Sequence, residues 1–151
     1  MGKGRRQQAG GRVWGRASEM RGVCANLQVI RGCTQNIYTE AFMYRFHPRT
    51  EKLFELVHAG EVGPLRMIQS SFTFKLSRPE NIRFNSDLGG GSLMDVGCYC
   101  VNISRTLASE EPEAVQATAV WTSTGVDEQM AGSLRFSHGL MAQFDSALTL
   151  A

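Results

Sequence analysis

Apolar positions recur at alternating steps of three and four between residues 93 and 107: Leu93, Val96, Cys100, Ile103 and Leu107. At about 100° per residue these fall on one stripe of a helical wheel, so the run predicts a helix with a core face. Asp95, Tyr99 and Asn102 fall together on a different face, at steps of four and three. Gly89-Gly90-Gly91 leads into this run, and Ser92 is an N-cap by residue type. Glycine adopts backbone angles closed to other residues and lets a ligand approach the main chain. The predicted helix thus buries one side and presents a carboxylate, a phenol and an amide on another.

The rest of the chain arranges itself around that helix. Residues 37–46 are rich in aromatic and β-branched side chains and predict a strand. His47-Pro48 ends it, because proline removes a donor and restricts its neighbour. A helix is predicted over 50–59, with Leu53, Leu56 and Val57 as its apolar face, Thr50 as its cap and Gly60 as its stop. His58 in its last turn suits the helix dipole and reads as structural rather than as a ligand. After the Gly63-Pro64 turn comes a strand over 65–74, then a loop over 79–87. Beyond Glu110-Glu111-Pro112, alternation predicts strands at 114–122, 129–136 and 140–150. The first places Val115, Ala117, Ala119 and Trp121 on one face, and the second places Met130, Leu134 and Phe136 on one face. Thr124-Gly125 and Ser137-His138-Gly139 are the connecting turns, with His138 solvated at a tip. Short turns between successive strands imply an antiparallel meander. The fold class is α+β. The last strand ends almost at Ala151, which leaves an unpaired edge, so the chain is expected to be unfinished at both ends.

A chain of 151 residues suffices for one domain with a core. Its net charge of +2 conceals an asymmetry. Residues 1–36 carry seven basic residues and one acid, whereas residues 37–151 carry nine basic and thirteen acidic ones. The leader is rich in Gly, Arg and Gln without a sustained period, and Trp14 is its one aromatic residue. That composition fits a disordered segment better than a nucleic-acid-binding arm. Of the four cysteines, Cys98 and Cys100 point about 200° apart on a helix and cannot share a metal. With Cys24 and Cys33 they read as reduced thiols. No apolar run approaches a membrane span, and no signal-type apolar core follows the basic start. The expected compartment is the cytoplasm.

Two stretches carry a family resemblance. Glu40-Ala41-Phe42-Met43-Tyr44-Arg45-Phe46-His47-Pro48 resembles the last strand of the dinucleotide-binding domain in the glucose–fructose oxidoreductase, inositol dehydrogenase and MocA (Gfo/Idh/MocA) family. Gly89-Gly90-Gly91 through Asp95-x-Gly97-x-Tyr99-x-x-Asn102 resembles the active-site helix of that family's C-terminal domain. Ala59-Gly60-Glu61-Val62-Gly63-Pro64-Leu65 between them also fits. Many members have His at the position of Tyr99. Tyr there is similar to the branch of dihydrodiol dehydrogenases, NADP-dependent xylose dehydrogenases and glucose–fructose oxidoreductase.

The resemblance implies an oxidoreductase that moves a hydride between NADP or NAD and a hydroxyl of a sugar or dihydrodiol. Tyr99 would be the general acid/base, and Asp95 would hold substrate or the proton network. Asn102 would be a third polar contact, with Arg45 and His47 near the cofactor–substrate cleft. Free tyrosine has a pKa near 10, and a neighbouring cation must lower it for work near neutrality. In the family a lysine of a Glu-Lys-Pro motif does so. This sequence has no such motif; its lysines are Lys3, Lys52 and Lys75, and it has no G-x-G-x-x-G phosphate loop. The expected organisation is a basic leader at 1–36, the last βα unit of a truncated dinucleotide-binding domain at 37–62, and a partial C-terminal substrate and oligomerisation domain at 63–151. Turnover by the chain as it stands is expected to be impaired. The alternative is a non-catalytic module that self-associates through the open face of the C-terminal sheet.

Overall fold

Alternating side chains over residues 114–147 build three antiparallel strands. The computed structural model, which describes residues 41–150, adds a fourth. The strands are β1 (Met67–Thr73), β2 (Ala114–Trp121), β3 (Asp127–Arg135) and β4 (Met141–Ala147). Their spatial order is β1-β4-β3-β2. β2, β3 and β4 form the antiparallel meander, and β1 joins β4 in parallel, with Met67 opposite Met141 and Thr73 opposite Ala147. The last strand is therefore not an edge, as its place near the chain end suggested. It is central, because β1 fills its free side.

Two helices accompany the sheet: α1 (Pro48–His58) and α2 (Cys98–Ala108). α1 begins before the predicted Thr50. Pro48 occupies the first turn, where its missing N–H costs nothing, and His47 is the cap, its Nδ1 accepting from Arg49 N at 3.1 Å. Gly60 stops the helix at φ 76°, as expected.

α2 is preceded by a π-helical turn over Leu93–Gly97. The wider turn rotates the stripe that regular periodicity assigned. Val96 and Cys100 are buried as predicted, but Ser104, not Ile103, points fully inward. The buried Ser104 hydroxyl is satisfied by the Cys100 carbonyl at 2.8 Å. Gly97 sits where the helix meets β4: an added Cβ would lie 2.8 Å from Ser146 Oγ.

The core lies between α2 and one face of the sheet. Ile68, Met130, Leu134, Phe136, Leu140, Ala142 and Phe144 form it with Cys100, and Val115, Ala117 and Ala119 pack against it. Trp121 does not join them. The register slips between Val120 and Trp121, and this bulge breaks the alternation, leaving the indole 52% exposed. On β3, Gly132 makes room for the Phe144 ring, which would lie 2.6 Å from a Cβ there.

The strand predicted at 37–46 is absent from its described part. Met43–Phe46 is a 3₁₀ turn whose amides bond locally, Arg45 N to Phe42 O and His47 N to Tyr44 O. Among the described residues no strand pairs with it. The leader 1–36, residues 37–40, Cys24 and Cys33 lie outside the described residues.

Candidate active site

The glycine run and the turn after it aim the polar side chains of this region. Gly91 N donates to the Arg83 carbonyl at 2.9 Å, and a Cβ on Gly90 would collide with that same oxygen. Gly91 lies at φ 119°, with the Asp127 carboxylate packed where its side chain would be. The main chain at Gly90 and Gly91 is thus approached by the protein itself rather than left open to a ligand, while the side-chain position of Gly89 is open. Ser92 is fully buried and makes no cap bond of its own. Asp127 is the cap, accepting from Leu93 N and from Ser92 Oγ, each at 2.7 Å.

From that anchored start the helix presents Asp95 and Tyr99 to one open cleft of ≈ 380 Å³, walled also by Met43, Phe72, Phe74, Arg83 and Val96. Three aromatic rings surround the Tyr99 ring. Phe42 stands edge-on at 5.1 Å, Phe72 edge-on at 5.7 Å, and Tyr44 is tilted at 6.1 Å. Such edge-to-face packing fixes a ring without using its hydroxyl. The hydroxyl meets the Met43 sulfur at 3.6 Å, a weak acceptor. Asp95 Oδ2 accepts from Arg83 Nε at 2.6 Å, in a pair whose side chains are 23% and 38% exposed. The Arg83 guanidinium also lies 5.9 Å above the Phe74 ring.

The other three candidate residues are placed differently. Asn102 uses its side-chain oxygen to accept from the Tyr44 hydroxyl at 2.5 Å. Burial pushes the Tyr44 phenol up from its ordinary value, partly opposed by the charge of Arg45 beside it. Arg45 is exposed in the 3₁₀ turn, and His47 caps α1. None of these three walls the cleft. His58 closes the end of α1, its Nδ1 within 2.7 Å of the Phe54 carbonyl. His138 is exposed at the hairpin tip. Cys98 and Cys100 are free, and burial raises the pKa of both thiols.

Sequence reasoning missed Arg83, Phe72, Phe74 and Met43. Phe72 and Phe74 stood two apart in a predicted strand, which places them on one face. Arg83 lay in a loop without periodicity. The one signal for it was the glycine run, which needs a close neighbour, though nothing local says which.

The cleft thus joins a phenol that meets only a weak acceptor among the described residues, a carboxylate held by a guanidinium, and apolar walls. That set can bind a small hydroxylated molecule and exchange a proton with it. Residues 50–151 match the model of the GFO/IDH/MocA C-terminal domain. The chain belongs to the GFO/IDH/MocA family. Within that family it is 46% identical over 110 residues to D-xylose 1-dehydrogenase (NADP(+)) 2 of Haloferax volcanii, covering 72% of this chain and 33% of that protein. It is 34% identical over 111 residues to trans-1,2-dihydrobenzene-1,2-diol dehydrogenase of Xenopus tropicalis, covering 72% and 33%. The GFO/IDH/MocA fold is seen again in aldose-aldose oxidoreductase from Caulobacter crescentus complexed with glycerol. There the TM-score is 0.69 at 33% identity, over 73% of this chain and 35% of that one. The chain spans about a third of the length of the curated relatives it matches. The four-stranded mixed sheet with its helices accords with the α+β C-terminal domain of GFO/IDH/MocA oxidoreductases. Among the described residues no helix is long and apolar enough to cross a membrane.

Proposed function

We propose that this chain carries the substrate side of an NAD(P)-dependent oxidoreductase acting on a hydroxyl of a sugar or dihydrodiol, in the cytoplasm. The supporting observation is the cleft, in which Tyr99 and Asp95 stand together while every other polar side chain of the helix face is used elsewhere. Tyr99 is the general acid/base: its phenolate form takes the proton of the substrate hydroxyl during oxidation, and the resulting phenol returns it during reduction. Asp95 accepts a hydrogen bond from substrate. Phe72, Phe74 and Met43 cover the apolar faces of the substrate ring and limit water. Arg45, His47 and Asn102 act at the margin, Asn102 through Tyr44. The division into 1–36, 37–62 and 63–151 is part of this reading, with Phe42, Met43 and Tyr44 as the wall packed on Tyr99.

The redox partner is NADP or NAD, and the name of the Haloferax volcanii relative, an NADP(+) enzyme, supports a nicotinamide cofactor. The described residues fit the substrate and not the cofactor's phosphates. A pyrophosphate needs a loop of free backbone N–H groups at a helix start. Here Gly90 N and Gly91 N are both spent, on Asn85 O and Arg83 O at 2.9 Å, and Asp127 holds Leu93 N. Turnover by these residues is therefore weak in this reading.

The test incubates the purified chain with NADP or NAD and either D-xylose or trans-1,2-dihydrobenzene-1,2-diol, following reduced nicotinamide. Diol binding is measured in parallel by NMR. Diol-dependent shifts at Tyr99 and Asp95, and any turnover abolished by Tyr99→Phe, support the reading. Turnover undiminished by Tyr99→Phe removes Tyr99 from the chemistry.

A second reading, as a self-associating module, is favoured by the sheet face opposite α2. Among the described residues nothing covers it. It carries Gln69, Ser71, Gln116, Ser133, Gln143 and Asp145 over a shallow concavity of ≈ 630 Å³. Sedimentation that stays monomeric at all concentrations counts against that reading.

A further inference from the structure

Arg83 is tied down at four points. Its amide donates to Asn81 Oδ1 at 3.1 Å, and its Nη1 reaches the same oxygen at 3.4 Å. Its carbonyl accepts from Gly91 N at 2.9 Å at the start of the helix that carries Asp95 and Tyr99. Its guanidinium rests over the Phe74 ring at 5.9 Å. Only Nε turns to the carboxylate, 2.6 Å from Asp95 Oδ2. Asp95 Oδ1 receives no donor from the described residues, and Asp95 lines the cleft beside Tyr99.

We propose that Arg83 is a positioning residue that clamps one oxygen of Asp95, so that the other is presented to the substrate hydroxyl adjacent to the one Tyr99 serves. The cleft then selects vicinal diols over single alcohols. This rests on the reading of the cleft as the substrate site. A free carboxylate on a two-torsion side chain rotates between water and neighbours. A guanidinium fixed through backbone, amide and aromatic ring removes that freedom, and a planar fork does so with a direction that an ammonium lacks. The glycine run has a role here too: without Gly90 the Arg83 carbonyl could not reach the helix start.

The test titrates the 151-residue chain with trans-cyclohexane-1,2-diol and with cyclohexanol, reading amide NMR shifts over residues 93–99. Wild type is expected to prefer the diol by about tenfold, the worth of one charge-assisted hydrogen bond. Arg83→Gln and Asp95→Asn each abolish that preference, and the double variant is no worse than either, as coupled residues require. Arg83→Lys keeps the charge but loses part of the preference. Tyr99→Phe weakens both ligands alike. A full preference retained in Arg83→Gln, or losses that add in the double variant, overturns the proposal. If Arg83→Gln does not fold, an undiminished preference in Arg83→Lys overturns it. Binding that depends on Tyr99 and Asp95 but not Arg83 removes this inference alone. Binding of neither ligand, or binding indifferent to Tyr99 and Asp95, removes the reading of the cleft and this inference with it.

Discussion

Asp127 on β3 caps the helix that begins at Ser92: one carboxylate oxygen accepts from the Ser92 hydroxyl and from Leu93 N, both at 2.7 Å. Both side chains are buried, at 6% and 0% exposure. The negative charge sits at the positive end of the helix, and the bond ties the sheet to the element that presents Asp95 and Tyr99. Asp127→Ala removes the cap on Leu93 N and takes one partner from the buried Ser92 hydroxyl, which keeps Ser146. A loss of about 2 kcal/mol is expected from these two effects, read by urea denaturation. A loss under about 0.5 kcal/mol would show that the cap does not hold the helix.

The two tyrosines beside each other have opposite expectations. Tyr44 gives its hydroxyl to Asn102 at 2.5 Å, so Tyr44→Phe should cost about 1 kcal/mol of stability. Among the described residues the Tyr99 hydroxyl meets only the Met43 sulfur, at 3.6 Å, and Tyr99→Phe should change stability by less than about 0.5 kcal/mol. Equilibrium unfolding of both variants checks the contrast. A large loss in Tyr99→Phe would mean that this phenol is structural.

Gly90→Ala drives a methyl into the carbonyl of Arg83, a backbone atom that cannot step aside. About 2 kcal/mol of destabilisation is expected from the overpacking. The Arg83–Asp95 pair should loosen with it, seen as broadened NMR signals over residues 81–95. Gly125→Ala is the control. It has open space around it but a φ of 84°, so only backbone strain, about 1 kcal/mol, is expected.

The pH dependence follows from three groups whose pKa values burial raises: Cys98, Cys100 and Tyr44. The folded chain holds these protons more tightly than the unfolded chain. Their contribution to stability is therefore complete below the ordinary thiol value of 9.0 and is lost as pH rises through the folded values, the thiols first and the phenol above 10.0. The melting temperature should be flat from neutrality to about 9 and fall beyond it. In Cys100→Ala the fall should be shallower, and a slope equal to wild type would exclude Cys100 as a source.

Much of the fold was legible because its signals are local. Runs of strand-forming residues between turn signals located all four strands, and Gly60 marked a helix end. The departures also have local chemistry behind them. Pro48 belongs to the first turn of α1 rather than to a strand end, since its ring suits the first helical position. Trp121 left the predicted face because a bulge consumed one residue of register. Ile103 yielded its inward place to Ser104 because a π turn is wider than the 100° step assumed for it.

Of the site, Tyr99 and Asp95 could be read from spacing four along a helix, since such side chains share a face whatever surrounds them. Arg83 could not. Its partner lies twelve positions on, and its supports are Asn81, Phe74 and the amide of Gly91, brought together by loop closure. Asn102 shows the reverse case: the spacing put it with Tyr99, but the arrival of Tyr44 turned it to another task.

Residue order alone specified the helices, the strands and the paired phenol and carboxylate, because each depends on neighbours within about four positions. The parallel seating of β1 on β4, the cap from Asp127 and the clamp from Arg83 had to wait for the folded chain. They join residues up to 74 positions apart, and which partners meet depends on the packing of the whole domain rather than on either segment.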